Sequence, residues 1–124
     1  MEFDVKVGMS KELETVVTQE MTAQHMGSGS AQVLSTPYMI TLMEMASFEA
    51  AQEGLAKNFT TVGTRVCIDH LAATPVGGTV VTKAVLREID RKKLMFDVES
   101  YYGEKLIGKG THDRFIIDTT KFGK

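Results

Sequence analysis

Hydrophobic and polar positions change period twice along this chain. Residues 3–8 and 12–21 read as strands, the second with Leu13, Val17 and Met21 on one side, and Ser10-Lys11 reads as the turn between them. From Met39 to Leu55 the alternation gives way to a dense apolar run. Nine of the thirteen residues from Met39 to Ala51 are apolar, wider than the stripe of a surface helix, so most of this helix's circumference should be covered. Thr36 is placed to cap the helix and Pro37 falls in its first turn. Period two then returns in Thr60–Thr74, Thr79–Asp90, Lys93–Tyr102 and Lys105–Asp118, separated by Pro75-Val76-Gly77-Gly78, Arg91-Lys92 and Gly103-Glu104. Leu94, Phe96 and Val98 oppose Lys93, Asp97 and Glu99, and Val80, Ala84 and Leu86 oppose Lys83 and Arg87.

A helix followed by a long antiparallel meander predicts an α+β chain in which a curved antiparallel β-sheet wraps one long central helix, the hotdog fold. With 124 residues and no linker or repeat, residues 1–124 form one domain, and Gly27-Ser28-Gly29-Ser30 is a short flexible loop inside it. Fourteen Lys and Arg against sixteen Asp and Glu leave −2, which argues against a nucleic-acid partner. No run approaches the ~20 apolar residues of a spanning helix, so no membrane partner is expected, and the start Met1-Glu2-Phe3-Asp4, without a basic n-region or an apolar h-region, points to the cytoplasm. Cys67 is the only cysteine, and Val66-Cys67-Ile68 reads as buried strand. Neither metal-ligand spacing, nor a glycine-rich phosphate loop, nor a Gly-x-Ser-x-Gly elbow occurs, so no cofactor or metal is expected.

Three side chains then stand out. Glu44 is a carboxylate among Ile40, Phe48 and Ala51 on the helix, whereas Glu49, Gln52 and Glu53 form an ordinary polar strip. His70 ends its strand on the side of Val62, Val66 and Ile68, facing the helix, while Arg65 and Asp69 point away. Thr36 lies at the helix start, where unpaired amides such as that of Tyr38 suit a developing oxyanion. Thr36 and Glu44 are separated by about 12 Å along the axis, too far for direct contact. Either His70 bridges them, the favoured arrangement, or Glu44 enters the site from a second chain of a two-fold dimer. His25, the His112-Asp113-Arg114 run and the basic turn Arg91-Lys92-Lys93 are weaker candidates.

Three blocks, Thr36 to Glu44, Val66 to Pro75 and Gly108 to Arg114, in this order and spacing, resemble the fluoroacetyl-CoA thioesterase group of hotdog proteins. The resemblance implies a Thr/Glu/His catalytic set carried by Thr36, Glu44 and His70, acting on a short acyl-CoA in a homodimer. It also implies substrate contacts at Gly63 and Arg114, to which the position of Tyr38 adds a third. The phenylalanine-containing lid of the fluoroacetyl enzyme is replaced here by His25-Met26-Gly27-Ser28-Gly29-Ser30-Ala31-Gln32. What is carried over is the reaction class: hydrolysis of an acyl-CoA to a carboxylic acid and free CoA. The alternatives are a non-catalytic module binding acyl-CoA or a related metabolite, and an acyl-thioester dehydratase or hydratase.

Overall fold

The computed structural model describes residues 3–123. Its elements are β1 (Ser10–Val16), a 3-10 turn (Gln19–Met21), α1 (Ala23–Met26), α2 (Thr36–Gln52), β2 (Phe59–His70), β3 (Thr79–Asp90), β4 (Lys93–Tyr102) and β5 (Lys105–Asp118). The strands form one antiparallel sheet in the order β1-β3-β4-β5-β2, leaving β1 and β2 as its edges. Met39, Leu42, Met43, Ala46, Ala50 and Ala51 of α2 pack into the sheet's concave face on Val80, Ala84, Leu86, Leu94, Phe96, Val98, Ile107 and Ile116. The approach is close at Gly108, where a β-carbon would lie 2.5 Å from the Met39 side chain. This is the expected hotdog arrangement, and β3, β4 and β5 have the boundaries that their alternation predicts.

The amino-terminal expectation needs correction. Within residues 3–8 only Phe3 pairs, in an isolated bridge to Leu55, and Gly8 at φ 99° turns the chain. Phe3 is held by edge-on contact with Phe59 at 5.0 Å. Ser10 and Lys11 lie inside β1, which stops at Val16, and part of the expected second strand is the 3-10 turn. The turn falls at the glycine because a positive φ is inexpensive there.

Two further departures concern α2 and β2. The helix is capped by Ser35, whose Oγ accepts from the Tyr38 N–H at 3.1 Å, so Thr36 is the first helical residue and its hydroxyl is free for other work. Its coverage is one-sided: Thr41, Met45 and Phe48 are exposed along one strip, with half-buried Glu44 among them. Strand β2 carries a bulge at Thr64, between Gly63 and Arg65. Thr61 is therefore the buried residue before the bulge, and Val62 does not share the face of Val66, Ile68 and His70. Cys67, expected in the interior, is exposed because β2 is an edge strand and residue 67 lies on its outer side.

β2 ends at His70 and not at Thr74. Beyond it Leu71 and Ala72 both donate to the Ile107 carbonyl, Leu34 N–H donates to Thr74 O at 2.8 Å, and Val33 bridges Pro75. This clasp fixes the start of α2 against the end of β2.

Candidate active site

The clasp produces the first functional contact. Thr36 Oγ1 lies 2.7 Å from His70 Nδ1, so the hydroxyl can donate to the unprotonated ring nitrogen. Burial lowers the His70 pKa below the ordinary histidine value, with the Ala72 backbone opposing, so the ring is neutral at neutral pH and able to accept a proton. His70 Nε2 is buried and has no hydrogen-bond partner among the described residues. The Tyr38 amide is not free for an oxyanion, because Ser35 holds it, and Pro37 has no N–H. Of the first three helical positions, only Thr36 still offers an amide.

A second group of residues gathers at Gly63. A β-carbon there would lie 3.0 Å from Glu44 Oε2, 3.0 Å from His112 Cε1 and 3.5 Å from Arg114 Nη1. Glycine thus opens the space on which a carboxylate, an imidazole and a guanidinium converge. Arg114 is buried and fully oriented: Nε donates to Thr61 Oγ1 at 2.7 Å, Nη2 to Thr61 O at 3.0 Å and Nη1 to His112 Nε2 at 3.0 Å. The Phe48 ring centroid lies 5.7 Å from its Cζ, completing a cation–π contact.

His112 must be the Nδ1–H tautomer, because Nε2 accepts from Arg114 while Nδ1 donates to the Arg65 carbonyl at 2.8 Å. Burial, reinforced by Arg114, depresses its pKa against the opposing effects of the Arg65 carbonyl, Glu44 and Asp113. Burial likewise lowers the Arg114 pKa, and the negative charge of Glu44 opposes it.

The two groups are separate within a protomer. Eight residues of α2, about 12 Å, and seven residues of β2, about 20 Å, lie between them. The favoured His70 bridge is not made: Nδ1 meets Thr36, and Glu44 has no hydrogen bond or ion pair within 4 Å among the described residues. Among the weaker candidates, His25 is exposed, while His112 is as buried as any core residue. The inward alternation of Gly110, His112, Arg114 and Ile116 along β5 was the available signal. Gln52, taken as part of a solvated strip, instead ties α2 to β2 through Phe59 O and Thr60 Oγ1, both at 2.9 Å. No cluster of metal-binding side chains is present among the described residues.

Comparison with known proteins agrees with this architecture. The model of the fluoroacetyl-CoA-specific thioesterase family matches residues 17–120. The fluoroacetyl-CoA thioesterase of Streptantibioticus cattleyicolor is 34% identical over 98% of this chain and 92% of its own length. A crystal structure of a phenylalanine-to-alanine mutant of that type of enzyme, in complex with fluoroacetate and CoA, superposes with a TM-score of 0.90 at 33% identity, covering 96% of this chain and all of the other. A hot-dog-like protein from Thermanaerovibrio acidaminovorans shares the fold, with a TM-score of 0.84 at 18% identity over 92% of this chain and 84% of its own. Fold and relatives together define a thioester hydrolase of the hotdog class. More narrowly, the chain belongs to the fluoroacetyl-CoA-specific thioesterase family.

Proposed function

We propose that this protein hydrolyses a short acyl-CoA to the carboxylic acid and free CoA, as a homodimer whose sites each combine two chains. Thr36 and His70 come from one protomer; Glu44, Gly63 and Arg114 come from its partner. The supporting observation is that Glu44 is a half-buried carboxylate with no hydrogen bond or ion pair among the described residues, eight residues along α2 from the Thr36–His70 contact. The open edge of β2 and the uncovered Thr41-Met45-Phe48 strip of α2 flank these groups and offer the surface on which a second copy would close them.

In this reading the Thr36 hydroxyl gives its proton to His70 Nδ1 and attacks the thioester carbonyl, forming an O–C bond as the C–S bond breaks. His70 returns the proton to the departing CoA thiolate. Water then releases the acid by the same exchange in reverse, regenerating Thr36. The partner's Glu44 stabilises the imidazolium through its negative charge, as the carboxylate does in Ser-His-Asp hydrolases. The space before Gly63, bounded by Arg114 and His112, receives the acyl end. Residues 23–34 contain no Phe, Tyr or Trp, so a lid like that of the fluoroacetyl enzyme is missing and a different short acyl group is preferred.

The test is free-thiol release from a panel of short acyl-CoAs. Turnover of at least one member, cut about a hundredfold or more in Thr36→Ala, Glu44→Gln and His70→Ala, supports the reading. No release from any member by the folded dimer overturns it.

A further inference from the structure

The outer face of the sheet carries a row of charges that alternates across all five strands. Glu12 of β1 stands opposite Lys83 of β3, with their charged atoms 3.5 Å apart. Lys83 stands opposite Glu99 of β4, Glu99 opposite Lys109 of β5, and Lys109 opposite Asp69 of β2. The signs run −, +, −, +, − and stop at the open edge with Asp69 exposed. Four residues away on the same edge a second row begins with the opposite sign. Exposed Arg65 stands opposite Asp113, which Lys93 approaches to 3.8 Å.

We infer that these rows join end to end across a two-fold axis, and that the charge match between Asp69 and the partner's Arg65 sets the register in which two β2 edges pair. The inference rests on the composite site proposed above and adds what aligns its halves. Antiparallel self-pairing that puts 69 opposite 65 is centred on Cys67. It also sets Val66, 41% exposed, opposite Ile68 of the partner subunit on the inner side, so the segment Arg65-Val66-Cys67-Ile68-Asp69 is self-complementary on both faces. A slip that changes facing is excluded because it would turn charges inward, and the next slips in either direction put Asp69 or Arg65 opposite Cys67. The row then reads continuously from Glu12 to Asp69 and on through the partner's Arg65, Asp113 and Lys93. In this register His70 lies beside the partner's Thr64 and Gly63, at the place where Glu44, His112 and Arg114 converge.

Complementing charge variants test this. Asp69→Arg leaves two cations on the edge and Arg65→Asp leaves two anions. Each alone sets like charges face to face twice, and each should raise the dimer dissociation constant at least about tenfold. Mixed one to one, they should form a heterodimer near wild-type affinity, because each intrachain mismatch is unchanged while both contacts across the axis become opposite in sign. Sedimentation equilibrium reads the assembly and thiol release reads the reaction. Should a charge-reversed chain fail to fold, Arg65→Gln and Asp69→Asn should show a smaller weakening that disappears in about 1 M salt. Single variants that dimerise like wild type, or a mixture no tighter than its components, overturn the register. Failure of the wild-type dimer to release thiol overturns the composite hydrolase instead.

Discussion

Arg114 Nη1 donates to His112 Nε2 at 3.0 Å, two residues apart on the inner side of β5. A buried cation is thereby oriented by an imidazole that must remain neutral, and the Arg65 carbonyl secures that tautomer. His112→Leu removes the acceptor and leaves a guanidinium N–H unpaired in the interior, so it should destabilise the protein by about 1–3 kcal/mol. His112→Gln, which retains an acceptor, should lose less. Urea unfolding of both variants measures the difference, and equal losses would show that the acceptor is not what matters.

Proton inventory gives a second expectation. His70 and His112 both have pKa values lowered by burial, so between the unfolded and folded values the unfolded chain binds more protons. Stability contributed by keeping these rings neutral is present above about pH 6.5 and falls as pH drops through the unfolded histidine range. The urea midpoint should therefore decline from pH 7 to pH 5, with a smaller decline in His112→Gln. A midpoint that is constant or rises on acidification contradicts these shifts.

The same shift at His70 has a kinetic consequence. Burial lowers the His70 pKa and the partner's Glu44 would oppose that, so kcat/KM should fall on the acid side and this limb should move to lower pH in Glu44→Gln. An acid limb that is unmoved in Glu44→Gln would remove Glu44 from the surroundings of the base.

Capping and chemistry are divided between adjacent residues at the start of α2. Ser35→Ala deletes the acceptor of the Tyr38 N–H and should cost about 1 kcal/mol of stability. Thr36→Ala should cost little stability, since its hydroxyl is exposed, yet lower turnover about a hundredfold. Thermal melts and thiol release on the two variants would separate the roles, and the opposite pattern would mean that Thr36 is the structural residue.

Gly63→Ala tests the convergence point. The added methyl would meet Glu44 Oε2 and His112 Cε1 at 3.0 Å, so the two side chains must shift and the space for the acyl end shrinks. Turnover should fall at least about tenfold with the sheet intact by circular dichroism. Undiminished turnover would place the acyl end elsewhere.

The sheet was legible where it is regular. Strands β3, β4 and β5 are consecutive hairpin partners, so short-range alternation and turn residues suffice to define them. The amino terminus was not, because residues 3–8 alternate yet are held by a bridge and ring packing that depend on distant residues. In the candidate site, Glu44 and His70 are legible as polar groups on apolar faces and Thr36 by its place at the helix start, as is the impossibility of a direct Thr36 to Glu44 contact. Of the favoured bridge, the Thr36 to His70 half is present, fixed by the clasp of Val33 and Leu34 onto Thr74 and Pro75, while the Glu44 half is not made within one chain. His112 ranks as a weaker candidate because a histidine beside Asp113 looks solvated unless its strand partners are known.

The extra residue at Thr64 has a geometric corollary. Thr61, which holds Arg114, and His70, which meets Thr36, are an odd number of positions apart, so an unbroken strand would send them to opposite sides. Deleting residue 64 would leave eight positions between them and both on one side, whereas drawing Thr64 into the regular ladder would turn them apart, although every side chain involved was still encoded.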